Sequence, residues 1–555
     1  MSLIAYYTSL LGNISPGLAG IICLASSTLL ILIGWVVRTR ILTPYRHLPS
    51  PPGLSLKHNH SSLTYSTPFG QKWGDWFKTY GNTIVVRVAP YHREEILTID
   101  PGFVRYVHAN VNDFEGSPRL GRAMVDMGIH GAISCAKGEK RQKIRAVFER
   151  SCSLAAMRGY FPRFINLAYK ARDKIMEELE SDTEKRSGKK PINPSTHAVG
   201  YQMGIVSTVL FGFNEEDIAK GRSTEVRDTI MAFHKARSEL KWWDTKSLFR
   251  TPRYRRYNRS RDQLAVVGKK LLRDKQEKIT RAFGQDLKSD DILEAGDDII
   301  STWCRLNMSK DIPASQKISD QDLADNVPIA MAATLDVSRM MIYEIIHRLA
   351  SHRDIQDKLR KEFSALPEEP SLDDLAKVAY LDAFLDELVR IDNAYTTIER
   401  TCTRTCVVPL HDPITLSNGQ TVNSITVHKG TDVSIPIWNL SADERLYGSD
   451  ATEFRPERHL DGSTKGAEGG TAIHATWGSS AGFSGGQRGC PVYQYPLAFM
   501  RAFIFVMVRS FEISEPTDQD VKIWVSSSAE RREHRVNNKP VTWIPTIFKP
   551  ISQDV

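Results

Sequence analysis

An uncharged run of 21 residues, Gly17 to Val37 (GLAGIICLASSTLLILIGWVV), divides this chain of 555 residues into a short head and a long body. At about 1.5 Å of rise per residue, such a run as a helix just spans a hydrocarbon layer of about 30 Å. No Lys or Arg precedes it, while Arg38, Arg40 and Arg46 follow it, which is not the pattern of a cleaved signal peptide. Basic flanks stay on the cytosolic side. The sequence therefore predicts a lumenal head over 1–16, a transmembrane anchor over 17–37, a basic and proline-rich hinge over 38–53, and one cytosolic domain over 54–555. The prolines of LPSPPG keep the anchor helix from running into the body.

The whole chain is 41% hydrophobic and 25% charged, a globular composition with enough length for a large core. Helical periodicity dominates, as over Asp320 to Ser351 and Tyr380 to Asp392, with short β-type runs at TIVVRVA and TDVSIPI. This predicts a mainly α fold with a small β-rich part. The net charge of +8 is concentrated in local clusters such as KGEKRQKIR, with no aromatic platform interleaved, so nucleic acid is not an expected partner. Seven cysteines lie scattered without framework spacing, and reducing surroundings are expected for the body. Cys402 and Cys406 have no matching pair nearby that would complete a zinc site.

Cys490 stands apart. It lies in FSGGQRGCPV, a glycine turn with Arg488 two residues before it and an apolar run after it. Positive charge and a helix N-terminus both favour thiolate over thiol, and a thiolate serves as metal ligand or nucleophile. Phe483 offers a flat aromatic edge and Arg488 a partner for a carboxylate, which suits haem iron.

With these residues in hand, the chain resembles the cytochromes P-450, the haem-thiolate monooxygenases. Phe483, Gly486, Arg488 and Cys490 match the family's loop Phe-x-x-Gly-x-Arg-x-Cys-x-Gly, and Val492 departs from its last glycine. Glu387 and Arg390 resemble its Glu-x-x-Arg, with Arg458 as a third member of a network that holds the cysteine loop. Arg400, Arg145 and Arg141, with Arg488, fit its contacts to the two propionates. HRLASHRDIQDKLRKE and WGSSAGFSGGQRGC look like fungal microsomal members.

The resemblance implies a cytochrome P-450 fold behind a single anchor in the endoplasmic reticulum membrane, haem b (iron protoporphyrin IX) ligated by Cys490, and electrons from NADPH-cytochrome P-450 reductase. It also implies a lipophilic small-molecule substrate, such as a fungal terpenoid, contacted from Phe114 to Ala132, Phe233 to Arg250, Val327 to Leu335 and Ala394 to Ile398. Lys140 and Lys143 are the expected docking charges for the reductase. The segment ATLDVS aligns with the family's Ala-Gly-x-Asp-Thr-Thr, so Val337 replaces the proton-relaying threonine. Asp336 with ordered water, and Thr334 or Ser338 as secondary donor, are the expected relay. Pro496 is expected to kink or delay the helix after Cys490. Three activities stay open: monooxygenation, rearrangement of an oxygenated substrate without external electrons, and haem binding without catalysis.

Overall fold

A computed structural model describes residues 16–37, 42–52, 60, 70–88, 93–117, 133–239, 251–284, 298–461, 473–517, 521–525, 532–541 and 543–551. The apolar run forms helix α1 (Pro16–Val36), with Leu24, Leu29, Leu30 and Ile31 exposed. Among the described residues no helix is long and apolar enough to cross a membrane. The described part of the hinge lies against the body. Val85 donates to the carbonyl of Pro49 (2.9 Å), and the Tyr45 hydroxyl meets Thr431 Oγ1 (2.6 Å) and the amide of His428 (2.9 Å).

The β part is a five-stranded sheet built from β1 (Thr83–Val88), β2 (Arg93–Thr98), β3 (Phe114–Gly116) and β4 (Thr397–Cys402). A hairpin, β5 (Cys406–Thr415) with β6 (Thr421–Val427), lies outside it, and β7 (Asp432–Pro436) completes it. The order is β1-β2-β7-β4-β3, antiparallel except where β2 runs parallel to β7, with Leu97 opposite Ser434. β7 is buried at every position, as a central strand reading DVSIP requires. Its neighbour β4 carries Arg400 into the interior.

The helices make a second, larger core. Those that frame the site are α2 (Pro101–Ala109), α3 (Gly138–Ser151), α4 (Leu154–Ser181), α5 (Asp320–Ser351), α6 (Ala379–Ile391) and α7 (Gln494–Ser510). Ser319 caps α5 by accepting from the Asp322 amide, and Asp320 and Asp322 suit its positive end. Pro328 inside α5 leaves the Ala324 carbonyl without its helical donor. Helix α7 starts late, as one of the outcomes expected of Pro496. The chain turns after Cys490 and the helix begins at Gln494, so Pro496 falls in the first turn, where its missing N–H is no loss.

Candidate active site

The cysteine loop is held from three sides. Its own backbone closes it: the Cys490 amide donates to the Phe483 carbonyl (2.8 Å) and the Gly489 amide to that of Gly486 (3.0 Å). Gly486 has φ 57°, and a Cβ there would lie 2.1 Å from the His108 carbonyl oxygen, so only glycine fits. Ser484 has φ 60° and ψ −159°, a region reserved almost wholly for glycine. Phe483 is half-buried, packing edge-on to Trp477 with centroids 6.0 Å apart.

From below, α6 grips the segment that precedes the loop. Glu387, Arg390 and Arg458 are fully buried. Glu387 receives Arg390 (2.7 and 2.8 Å), Arg458 (2.9 Å) and His459 (2.9 Å). Burial alone would raise the Glu387 carboxyl, but the hydrogen bonds from Arg390 and His459 outweigh it and bring it to about 2. One residue earlier, Asp386 accepts from the Ser479 amide (3.0 Å), and the Ser479 carbonyl accepts from the Tyr447 hydroxyl (2.5 Å). Arg390 stacks over the Tyr447 ring at 4.8 Å. The network thus reaches the loop through Asp386, Ser479 and Tyr447. His459, Asp386 and Tyr447 carried no sequence signal, because their partners become neighbours only on folding.

On the third side stand the arginines. Arg145 donates to the Gly489 carbonyl (2.6 Å) and pairs with Glu149 (2.7 Å), so it backs the loop. Arg141 donates to the Gln487 carbonyl (3.1 Å), and Arg400 reaches Ser484 Oγ (3.3 Å). Arg141, Arg400 and Arg488 crowd one another. Burial and then the Arg488 and Arg141 charges push Arg400 down to about 9, and burial with Arg488 and Arg145 brings Arg141 to about 10. Arg488 Nε is buried without a hydrogen-bond partner. Such a cluster calls for an anionic partner.

The thiol itself departs from expectation. Burial raises Cys490 to about 11, against the Val492 amide donating to its sulfur and the charge of Arg145. The N-terminus of α7 lies four residues on, too far to help. A bound cation would favour the thiolate here.

Helix α5 supplies the other wall. Ala330, Ala333 and Val337 share one face, and these side chains are half-exposed or, for Ala333, exposed, midway along a helix where Met331 and Leu335 are buried. A flat group can lie against so shallow a face. Thr334 and Ser338 are buried on its flank. Tyr495, five residues after the cysteine, brings its buried hydroxyl towards Thr334 of α5 without a well-formed hydrogen bond. The side chain of Asp336 lies outside the described residues, as do 118–132 and 240–250 of the expected substrate contacts. Lys140 pairs with Asp322 (2.7 Å), and Lys143 is half-exposed on the same helix, α3.

A thiol ligand, a cluster of guanidiniums short of anions and a shallow helix face together fit haem with its propionates. The family model of cytochrome P450 matches residues 48–530. The chain belongs to the cytochrome P450 family.

Other comparisons agree with this P450 assignment. Cytochrome P450 monooxygenase 205 of Postia placenta is 25% identical over 520 residues, covering 92% of this chain and 93% of that protein. Ganoderic acid synthetase CYP5150L8 of Ganoderma lucidum is 24% identical over 513 residues, covering 87% and 91%. The structure of retinoic acid bound cyanobacterial CYP120A1 shares the P450 fold with a TM-score of 0.64 at 16% identity, over 91% of this chain and all of that one.

Proposed function

We propose that this P450 is a monooxygenase that hydroxylates or epoxidises a lipophilic specialised metabolite of terpenoid type. In this reading it uses O2 and electrons from NADPH-cytochrome P-450 reductase, and α1 anchors it in the endoplasmic reticulum membrane with the body cytosolic. The observation that carries the reading is the Cys490 loop with its three crowded arginines. The likeness to a ganoderic acid synthetase supports the terpenoid class, and the exposed Leu24, Leu29 and Ile31 of α1 support the anchor.

Haem b held here would supply O2 activation, the thiolate donating electron density that favours O–O cleavage. The chain's own residues have distinct tasks. Cys490 would ligate the iron, with the Val492 amide and Arg145 favouring negative charge on its sulfur. Arg141, Arg400 and Arg488 would pair with the propionates, which would relieve their mutual repulsion. The Glu387 network keeps the loop from shifting. Ala330 and Ala333 admit the flat cofactor and leave room for an apolar substrate. Val337 presents no hydroxyl, so proton delivery falls to Asp336 with ordered water.

The test is the reduced, CO-bound spectrum of the purified protein beside Cys490→Ser, followed by turnover of a terpenoid panel with and without NADPH and reductase. A thiolate-type band in the parent, lost in Cys490→Ser, is expected, together with product only when electrons are supplied. Val337 favours one second reading, rearrangement of a hydroperoxide, which would give product without NADPH.

A further inference from the structure

Strand β4 ends at Cys402 and β5 begins at Cys406, and between them the chain makes a bend of three residues. The bend is fastened on both sides. The Thr403 amide donates to the Asp113 carbonyl (2.8 Å) and Arg404 pairs with the Asp113 carboxylate (2.5 and 2.9 Å), while the Cys402 amide donates to Thr431 (2.8 Å). The result is that the two sulfurs touch, 3.8 Å apart. Cys402 is buried and its thiol donates to the Arg404 carbonyl (2.8 Å), whereas Cys406 is half-exposed. Among the described residues no group of three or more His, Cys, Asp or Glu is placed to hold a metal. The chemistry open to this pair is its own oxidation.

We propose that Cys402 and Cys406 form a dithiol that hydroperoxides oxidise reversibly to a disulfide. Cys406 is the entry point because it is the accessible member. Its thiolate attacks the O–O bond of hydrogen peroxide, taking one oxygen as sulfenic acid and releasing hydroxide, which takes up the proton that Cys406 shed. The Cys402 thiol then attacks the Cys406 sulfur, and the hydroxyl leaves as water with the Cys402 proton. The sum is two thiols and one peroxide to one disulfide and two waters. Closing from contact to a bond of about 2.05 Å falls to the Cys406 side chain, since Cys402 is fixed by its neighbours. Burial raises both thiols, and at Cys406 the Cys402 thiol, Arg404 and Tyr106 favour the thiolate while the Asp113 carboxylate opposes it, so thiolate is scarce at neutral pH. The reaction is therefore slow at neutral pH and quicker in mild alkali. In reducing surroundings the dithiol is the resting form, and a thiol such as glutathione restores it.

The experiment treats the full-length protein in detergent with hydrogen peroxide, blocks remaining thiols with iodoacetamide, digests with trypsin without reduction, and reads peptides by mass. Cleavage after Arg400, Arg404 and Lys429 places the two cysteines in separate peptides, Thr401–Arg404 and Thr405–Lys429. A linked species two hydrogens lighter than its parts is expected, reversed by glutathione. In Cys402→Ser the linkage disappears and Cys406 stops at a dimedone-reactive sulfenic acid. Irreversible oxidation of Cys406 with Cys402 still alkylated, or no change in either, would overturn the proposal. Linkage of Cys406 to another cysteine would overturn it equally.

Discussion

A Cβ on Gly485 would lie 2.2 Å from His108 Nδ1 and 2.3 Å from the His474 carbonyl. The end of α2 is therefore pressed directly against the cysteine loop, and the space for the loop is set by a histidine outside it. His108 Nδ1 donates to the Ile473 carbonyl (2.6 Å), which leaves Nε2 buried without a partner. Gly485→Ala should displace the loop and cut haem retention at least tenfold while the helical circular dichroism stays near that of the parent.

Burial is the first reason that His108 falls to about 4 from an ordinary 6.5, with Arg400 adding to it. A folded pKa below the unfolded one means that the neutral ring stabilises the fold fully above pH 6.5, and that this contribution is lost as pH falls from 6.5 through 4. Thermal melts should show a loss over that window that His108→Gln flattens. Glu387 acts lower, its contribution fading as pH falls from 4.5 through about 2.

Removing one member of the buried network exposes the rest of its charge. Arg458→Leu should destabilise by about 3–5 kcal/mol, because Glu387 and Asp450 lose a buried partner. Denaturant melts and haem content should both fall, and a variant that matched the parent in both would deny the network its supporting role.

Ser484 holds a backbone conformation that costs a serine about 1–3 kcal/mol. Ser484→Gly should raise the midpoint of denaturation. It also deletes the contact to Arg400, so a small loss of haem affinity should accompany the gain.

Lys140 is committed to Asp322, whereas Lys143 has more freedom to meet an acidic partner. Reduction by the reductase should slow in Lys143→Glu at low salt and recover towards the parent at high salt. For Lys140→Glu the main effect should appear in stability. Val337→Thr should raise product per NADPH, and Ser338→Ala, buried on the flank of α5, should change it little.

The sequence carried the parts of this site that are local. Glu387 and Arg390 fall three apart on one helix, Arg488 and Cys490 two apart in a turn, and Asp320–Ser351 emerges as a helix with the expected ends. What was not legible depends on chain segments far apart. His108, Asp386 and Tyr447 meet the loop only through the tertiary fold. The Cys490 sulfur was read from its charged neighbours, yet burial dominates it, and burial is a property of the assembled core. Of the two outcomes expected for Pro496, a kink or a late start, the helix shows the late start, at Gln494.

The pairing of Leu97 with Ser434 has a kinetic meaning. The sheet that presents Arg400 closes only after most of the chain has left the ribosome, and Cys490 is made later still. Sequence-distant pairings form slowly, and α7, which completes the helical core, is made after β7, so the pocket is whole only when the last helix and the sheet have both joined. The site for the cofactor is therefore complete only once residues 494–510 are in place. Until an anion reaches it, the arginines gathered there still repel one another.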